Sequence, residues 1–358
     1  MADAVTAGRR SWRLPGQGRP LELTADAVPE PVGTEVLVRV DRCGLCHSDL
    51  HLQDGLAPVP LPVTLGHEIA GTVVRAGPGA EGVRPGDKRA VYPWIGCGRC
   101  PPCLDGDDVA CVAPRFLGLR ADGGFSDHVL VAHPRYLLDH GGLSQEQAAT
   151  AGCSVLTAYG ALKKVLPRAA SDWIAVIGAG GVGLAAVALA RRLTEARVLA
   201  VDVGQAQLLA ARAAGAHETV LAGGGAEAVV AATGGGAAAA IDFVGSAATA
   251  ELAVASVRRR GTVVVVGLHG GDLVLPLQSL PRRMLTVTGS FVGTLAEMQE
   301  VMAVLRSSGG LGVPVTTRPL AEVNAAMDAL RAGRVVGRVV FDAARVDVAR
   351  VDAARAGP

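Results

Sequence analysis

The stretch that decides the fold is Trp173-Ile-Ala-Val-Ile-Gly-Ala-Gly-Gly-Val-Gly183. Ile174–Ile177 is a short apolar run typical of a buried strand, and Val182–Arg192 has the apolar period of a helix. The glycines between them allow a tight turn and a close approach of the backbone to a pyrophosphate, which the helix N-terminus attracts. This order of strand, glycine turn and helix predicts a dinucleotide site. The residues of the predicted turn are Gly178, Gly180, Gly181, Val182 and Gly183.

A carboxylate further along the chain supports the same prediction. Val198–Asp202 has the pattern of a second strand, and Asp202 ends it. A carboxylate there can accept hydrogen bonds from a ribose 2′-hydroxyl and would repel a 2′-phosphate, which favours NAD over NADP. The alternative is a solvated aspartate at a strand end.

Apolar runs and helix patterns alternate from about Trp173 onward, which predicts an α/β fold with a doubly wound parallel sheet. The low-complexity stretches Ala222–Gly225 and Gly234–Ala240 are predicted to be loops. The further predicted strands are Thr219–Leu221, Ala240–Val244, Val263–Val266 and Val335–Phe341. The further predicted helices are Gln205–Ala214, Leu295–Arg306 and Leu320–Arg331.

The first part of the chain has a different pattern. From Pro20 to about Leu138, proline and glycine recur between short runs such as Glu35–Val40, which alternates, and Thr72–Arg75, which is β-branched. Such a pattern predicts an irregular β region with long loops. A chain of 358 residues accommodates this region and the α/β region as two domains.

Composition excludes several classes of protein. Lys and Arg number 34 against 33 Asp and Glu, so there is no basic excess for nucleic-acid binding. The uncharged run Trp173–Ala190 is interrupted by glycines and is short for a membrane span, so a soluble strand, turn and helix is preferred. Seven cysteines are an odd number, which argues against a disulfide framework. With no secretory leader in Met1–Gly16, this count favours a reducing cytoplasm.

Four of the seven cysteines form a dense cluster, Cys97-Gly-Arg-Cys100-Pro-Pro-Cys103 followed by Cys111. Thiolates at this spacing suit a tetrahedral zinc ion whose four positions are all filled. Because such a site leaves no room for a substrate, the predicted role is structural. The alternative is a chance cluster of thiols.

A second group of metal-binding residues is spread along the chain. It comprises Cys43-Gly-Leu-Cys-His-Ser-Asp-Leu-His51, Gly66-His-Glu68 and Cys153. Taken alone, His67 could be a structural histidine and Cys153 a small buried apolar residue. Together these segments offer two thiolates and one imidazole, which leaves a fourth position open, as a catalytic zinc site requires.

These motifs resemble those of the zinc-containing medium-chain alcohol dehydrogenases. The resemblance runs from Pro29-Glu-Pro31 through the two cysteine groups and the glycine turn to Gly337-Arg338. It implies a GroES-like β domain interrupted by an inserted Rossmann domain, with the chain end returning to the first domain. The implied bounds are 1–154 for the catalytic domain, with a cysteine lobe at about 95–112, then 155–291 for the NAD domain, and 292–358 for the return and tail.

The resemblance also implies roles for individual residues. Cys46, His67 and Cys153 would bind the catalytic zinc, with Asp49 and Glu68 supporting them, and Cys43 would only pack. Cys97, Cys100, Cys103 and Cys111 would bind the structural zinc. Ser48 and His51 would form a proton relay, for which the alternative is that His51 is merely a polar loop residue. Trp94 and Ser48 would line the substrate pocket. The implied cofactor contacts are His47, Thr157, Gly267, Leu268 and Arg338.

The resemblance therefore predicts a cytoplasmic, NAD-dependent enzyme with two zinc ions per subunit that interconverts an alcohol and its aldehyde or ketone. A thiol at Cys153, where polyol dehydrogenases of the superfamily usually show an acid, favours a simple alcohol. One alternative is an alicyclic or aryl alcohol as substrate, and another is a catalytically silent protein that binds zinc and dinucleotide. The expected partners are a small-molecule substrate and identical subunits, as a homotetramer or else a dimer. The tail Arg345–Arg355 is predicted to be a frayed helix.

Overall fold

The structure is a computed structural model that describes residues 8–169 and 171–343. The strands are β1 Arg9–Leu14, β2 Glu22–Asp26, β3 Val36–Gly44, β4 Val63–Thr64, β5 Glu68–Ala76, β6 Lys88–Val91, β7 His128–Val131, β8 Leu137–Asp139, β9 Trp173–Ile177, β10 Arg197–Asp202, β11 Glu218–Leu221, β12 Ala237–Asp242, β13 Val257–Val265, β14 Thr286–Gly289, β15 Val315–Pro319 and β16 Arg338–Asp342. The α-helices are α1 His47–Gln53, α2 Pro101–Leu104, α3 Gln145–Thr150, α4 Leu156–Ala169, α5 Gly181–Leu193, α6 Gln205–Ala213, α7 Gly225–Thr233, α8 Ala247–Ser256, α9 Ser279–Arg283, α10 Leu295–Ser308 and α11 Val323–Arg331.

The second half of the chain forms the predicted parallel sheet. Its six strands lie in the order β11-β10-β9-β12-β13-β14, and all neighbouring pairs are parallel. The order reverses between β9 and β12, and in doubly wound sheets a crevice for ligands opens at that point, beyond the carboxyl ends of the strands. A Cβ at Gly183 would collide with the carbonyl oxygen of Gly178, so the helix packs on the strand as closely as predicted.

The prediction of loops is wrong for two stretches of the chain. Ala222–Gly224 is a turn of 3₁₀ helix that leads into α7, and most of Gly234–Ala240 belongs to β12. Alanine has a high helix propensity, so the alanine-rich sequence of α7 needs no apolar stripe to be helical. In β12 all six residues are buried between β9 and β13, and the pairing of a central strand overrides the propensity of alanine.

The β region forms a largely antiparallel sheet in the order β15-β16-β3-β5-β6-β8, with β7 beside β3. The last strand of the chain enters this sheet, since Phe341 of β16 pairs with Cys43 of β3. The chain end thus returns to the first region, as the sequence resemblance implied. A separate three-stranded sheet, β2-β1-β4, includes β1, which precedes the region where strands were predicted.

A short helix, α1, interrupts the region that was predicted to be entirely β. It begins after Cys46, and the Asp49 carboxylate accepts a hydrogen bond from the Cys46 N–H at 2.9 Å. An acidic side chain that bonds back to the N-cap backbone stabilises a helix start. This helix places His47, Ser48 and His51 in the crevice beside the sheet.

A nearly continuous helical segment connects the two sheets. It consists of α3, a π-helical turn at Ala151–Val155, and α4. π-helical turns inside α-helices are frequent at functional sites, and this one carries Cys153. No helix in the described ranges is long and apolar enough to cross a bilayer. The predicted frayed helix at Arg345–Arg355 lies outside the described residues.

Candidate active site and metal centres

Three separate elements bring metal-binding side chains to one buried point. Cys46 precedes α1, His67 precedes β5, and Cys153 lies in the π-helical turn. The His67 Nε2 atom is 3.3 Å from the Cys153 Sγ atom. One ligand atom of each of Cys46, His67, Glu68 and Cys153 falls within 4.8 Å of the others. These four residues are called the donor cluster below.

The two thiols of the donor cluster shift each other's pKa in opposite directions. A hydrogen bond from Cys153 holds the pKa of Cys46 well below its usual range, and the same contact raises the pKa of Cys153. Burial lowers the pKa of His67, but its bond to Cys46 and the charge of Asp49 together raise it to about 9. Soft thiolates and an imidazole, buried together, are the donors that zinc prefers, and metal binding displaces their protons. The residues therefore fit a zinc ion.

Asp49 lies behind His67. Its Oδ1 atom is 3.7 Å from the His67 Nδ1 atom, and its carboxylate accepts hydrogen bonds from the N–H groups of Cys46 and Gly66. Burial raises the pKa of Asp49 to about 6. Gly66 has a φ of +87°, and a Cβ there would lie 2.5 Å from the Phe125 ring, so only glycine lets the chain turn here and present His67.

Glu68 and Arg338 form a buried ion pair beside the donor cluster. The Arg338 Nη2 atom is 2.5 Å from the Glu68 Oε2 atom, and the two side chains are 7% and 0% exposed. Burial raises the pKa of Glu68, although the charge of Arg338 opposes this. A Cβ at Gly181 would collide with the Arg338 side chain, so this arginine also touches the glycine turn. Arg338 therefore lies between the donor cluster and the predicted dinucleotide site.

The four thiols of the cysteine lobe also come together, within 4.8 Å of one another. The Cys100 Sγ atom is 3.5 Å from that of Cys103 and 3.8 Å from that of Cys111. Backbone N–H groups of Arg99 and Cys100 lower the pKa of Cys97 to about 6, which favours the thiolate that a metal binds. All four predicted lobe residues thus form one compact tetrathiol group.

A cleft with about 1180 Å³ of empty volume lies between the two sheets. Nearly all of the predicted site residues outside the lobe line it, whereas His67, Glu68 and Asp49 are fully buried behind it. The predicted residues on the cleft wall are Cys46, His47, Ser48, His51, Trp94, Cys153, Thr157, Gly178, Gly180, Gly181, Val182, Gly183, Asp202, Gly267, Leu268 and Arg338. Among the described wall residues, none comes from the cysteine lobe.

Asp202 lies at one end of the cleft, where β10 ends. Its carboxylate accepts the N–H of Ala179 at 2.7 Å and the N–H of Gly204 at 2.8 Å. These bonds hold the carboxylate beside the glycine turn, and its remaining lone pairs can accept bonds from a ribose. At the other end, the Ser48 Oγ atom is 3.6 Å from the Cys46 Sγ atom. His51, one turn further along α1, is half-buried, and burial lowers its pKa.

Comparisons with known proteins match both the β region and the α/β region of the chain. Residues 33–139 match a family model described as the alcohol dehydrogenase GroES-like domain, and residues 181–307 match one described as zinc-binding dehydrogenase. An NAD-dependent alcohol dehydrogenase of Sulfurisphaera tokodaii is 34% identical over 93% of this chain and 99% of its own. The chain belongs to the zinc-dependent medium-chain alcohol dehydrogenases.

Solved structures agree with this assignment. The alcohol dehydrogenase of Aeropyrum pernix superposes with a TM-score of 0.88 at 32% identity, covering 93% of this chain and 99% of that one. The acetophenone reductase of Geotrichum candidum, solved with NAD, gives a TM-score of 0.84 at 29% identity and covers 95% and 98%. The predicted family, fold class and zinc and NAD cofactors are confirmed. The dehydrogenase interconverts an alcohol and a carbonyl compound with NAD.

The end of the cleft beside the donor cluster in this dehydrogenase is aromatic. The Trp94 Nε1–H donates to the Gly152 carbonyl at 2.8 Å, which fixes the indole. Phe116 and Phe291 meet it edge-on, with ring centroids 5.4 and 5.8 Å away. Cys43 is fully buried outside the donor cluster, and burial raises its pKa, consistent with the predicted packing role.

Several residues on the cleft wall of the dehydrogenase were missed by the sequence analysis. They lie after β12, β13 and β14, at the carboxyl edge of the parallel sheet, and none belongs to a recognisable motif. The position of these strand ends was the available signal, because ligands bind at that edge. The missed residues are Phe243, Val244, Val266, His269, Phe291 and Val292.

Proposed function

We propose that Cys46, His67 and Cys153 would hold the catalytic zinc of this dehydrogenase, at the wall of the cleft. The support is that the two thiols line the cleft while His67 is buried behind it. Asp49 orients His67, and Glu68 tunes the charge of the centre through its pair with Arg338. A zinc ion held there would supply a Lewis acid that lowers the pKa of the substrate hydroxyl, and a bound NAD would supply the hydride acceptor.

The side chains of α1 move the proton. The Ser48 hydroxyl lies beside Cys46, so it is placed to accept the proton of the substrate hydroxyl while it releases its own proton toward His51. His51 lies three residues further along the same helix and therefore on the same face. It reaches the solvent side of the cleft, where its imidazole passes the proton to water. Both residues line the cleft, which supports this order.

The glycine turn and the cleft walls bind NAD. Gly178, Gly180, Gly181, Val182 and Gly183 receive the pyrophosphate at the N-terminus of α5, and Asp202 holds the adenosine ribose. His47 and Arg338 supply positive charge to the phosphates, and Thr157, Gly267 and Leu268 complete the walls. Asp202→Gly is expected to reduce the preference for NAD over NADP about tenfold, measured as the ratio of kcat/KM values, since one charge contact is worth about 1.4 kcal/mol.

The substrate is an apolar alcohol or ketone with an aryl or alicyclic group. The observation that carries this is the edge-on pair of Trp94 and Phe291, which places two aromatic rings on the cleft wall. Aromatic pairs of this kind favour flat or ring-shaped apolar ligands. The similar acetophenone reductase of Geotrichum candidum is consistent with this class. The simple alcohol first expected from Cys153 is the second candidate.

A substrate panel tests this proposal. We expect kcat/KM with NAD to be at least tenfold higher for 1-phenylethanol and cyclohexanol than for ethanol. Phe291→Ala is expected to lower the ratio of kcat/KM for 1-phenylethanol to kcat/KM for ethanol. Phe116→Leu, which alters a Trp94 neighbour outside the cleft wall, is the control and should preserve this ratio. Equal kcat/KM values for all three alcohols in the unmodified enzyme would contradict the aromatic specificity. No turnover with any alcohol would favour the silent zinc-binding and dinucleotide-binding alternative.

The four thiols of the cysteine lobe hold a second, structural zinc. The domains are 1–154 with the lobe at about 95–112, then 155–291 for NAD, and 292–358 for the return and tail. The first boundary is supported by the π-helical turn that ends at Val155, and the second by β14, the last strand of the parallel sheet. A purified fragment 155–291 that shows no cooperative thermal melt by circular dichroism would contradict these bounds.

The dehydrogenase assembles as a homotetramer, with a dimer as the second possibility. Strand β14 lies at the edge of the parallel sheet, and exposed apolar side chains lie on it and on the segment that leads to it, namely Val274, Leu277, Met284 and Val287. An unprotected apolar edge is suited to pairing with a second copy. Light scattering after size exclusion measures the mass directly, and a monomer would contradict the assembly. All seven cysteines are free, consistent with the cytoplasm as the compartment.

A further inference from the structure

Side chains that carry N–H donors surround the middle of the cleft. His47 and His51 lie one helical turn apart on the same face of α1, and Arg338 enters from β16. His269, which follows β13, lines the same cleft from the opposite side. Among the described residues on the cleft wall, Asp202 is the one carboxylate, and it marks the adenosine end. The arrangement of charges therefore suits an anion in the middle of the cleft.

The backbone around His269 is held in place although its side chain is exposed. The His269 N–H donates to the Val244 carbonyl at 3.2 Å, and the Gly270 N–H donates to the Gly245 carbonyl at 3.0 Å. Gly270 also forms an isolated bridge to Ser246. These bonds fix the segment against the turn after β12, at the carboxyl edge of the sheet. The His269 imidazole therefore starts from a defined position beside the cleft.

Hydrogen bonding lets an imidazole bind an anion whatever its charge. A protonated imidazole offers two N–H donors to an anion. A neutral imidazole also offers one N–H donor, so the same residue can donate to a phosphate oxygen in either protonation state.

We propose that His269 is a further cofactor-binding residue, whose imidazole donates a hydrogen bond to the diphosphate of the bound dinucleotide. The diphosphate is then held by His47 and Arg338 on one side of the cleft and by His269 on the other. This inference rests on the proposed NAD site, and it adds a contact from a segment with no recognisable motif. The substrate end is a poorer partner for His269, because Trp94 and Phe291 make that end apolar.

Binding measurements without catalysis test the contact. Dissociation constants of NADH, ADP-ribose and AMP are measured by fluorescence or calorimetry for the unmodified enzyme, His269→Ala and His269→Gln. We expect His269→Ala to raise the dissociation constants of NADH and ADP-ribose about tenfold, the usual effect of losing a hydrogen bond to a charged group. The dissociation constant of AMP, which lacks the second phosphate, should change less than twofold. His269→Gln keeps a donor and should recover most of the affinity.

Gln278→Ala is the matched control, because Gln278 is exposed on the same connection after β13 and is absent from the described cleft wall. Its dissociation constants should equal those of the unmodified enzyme. The proposal is wrong if the dissociation constant of ADP-ribose for His269→Ala is within twofold of that for the unmodified enzyme. It is also wrong if the dissociation constant of AMP rises as much as that of ADP-ribose. Failure of the unmodified enzyme to bind NADH would instead contradict the proposed NAD site itself.

Discussion

The four thiols of the cysteine lobe come from residues 97–111, whereas the donor cluster joins side chains that are distant in sequence. His67 and Cys153, for example, are 86 residues apart and meet at 3.3 Å. A local group of thiols can form as soon as its own segment turns. The donor cluster exists only after β3, β5 and the π-helical turn have packed together. We therefore expect the lobe to need metal in order to fold, and the donor cluster to need the fold in order to bind metal.

The packing around the two sites differs in the same way. Cys46 and Cys153 belong to the large apolar core that extends through both sheets. The buried thiols Cys100, Cys103 and Cys111 pack as a separate cluster, with Cys97 at its edge. A segment with so little apolar surface gains little free energy from burial, so we expect metal binding to supply its folding free energy. Substitutions in the two sites should consequently affect different properties.

The largest effect is expected for Cys46→Ser. Removing a ligand from the donor cluster removes the Lewis acid, which is worth several kcal/mol in the transition state, so kcat should fall more than about 1000-fold. The melting temperature should stay close to that of the unmodified enzyme, because the surrounding core is intact. Steady-state kinetics and calorimetry on the same preparation measure both. A large loss of stability would break the distinction between the two sites.

Cys103→Ser makes the complementary change in the lobe. An incomplete tetrathiol site binds metal less tightly, and the free energy of metal binding contributes to the stability of the folded state. The free energy of unfolding should therefore fall by about 3 kcal/mol or more. The fraction of enzyme that remains folded should keep near-normal kcat. Denaturant unfolding gives the first quantity, and active-site titration with NADH gives the second. A folded, stable variant with low kcat would mean that the lobe acts in catalysis.

Two buried aspartates allow a finer comparison. Asp49 contacts His67 of the donor cluster, whereas Asp108, which is 3% exposed, accepts bonds from Arg135 and from the Tyr136 hydroxyl at 3.2 Å beside the lobe. Asp49→Asn should weaken zinc binding at the donor cluster by about 10- to 100-fold. Asp108→Asn should cost about 1–3 kcal/mol of stability and leave kcat unchanged. Chelator titrations and thermal melts separate the two outcomes, and identical behaviour would contradict the comparison.

The smallest effect is expected for His51→Gln, since water can partly replace a general base. We expect kcat for alcohol oxidation to fall about tenfold. Burial lowers the pKa of His51, so the imidazole is neutral at pH 7 and can accept a proton. As the pH falls through that lowered pKa, His51 becomes protonated and kcat declines. This acid limb should vanish in the variant, and a pH profile with an unchanged acid limb would remove His51 from the proton path.

The sequence predicts best what is local. The cysteine lobe and the glycine turn each lie within one short segment, and the structure brings their residues together as predicted. Helix α1 was missed because its start depends on the Asp49 carboxylate bonding back to Cys46, a contact that the apolar pattern does not reveal. The resemblance supplied Glu68 and Arg338 separately, but their ion pair joins the first and last parts of the chain. Phe291 and His269 were missed because they follow strands without any motif.

Zinc content per chain, measured by plasma mass spectrometry together with thermal melting, tests the distinction between the two sites most directly. The unmodified enzyme should contain two zinc ions, and Cys46→Ser should contain one, with an unchanged melting temperature. Cys103→Ser should melt at a markedly lower temperature, and any folded fraction should keep the zinc of the donor cluster. A single zinc ion in the unmodified enzyme, or loss of both ions in Cys46→Ser, would contradict two centres with separate roles.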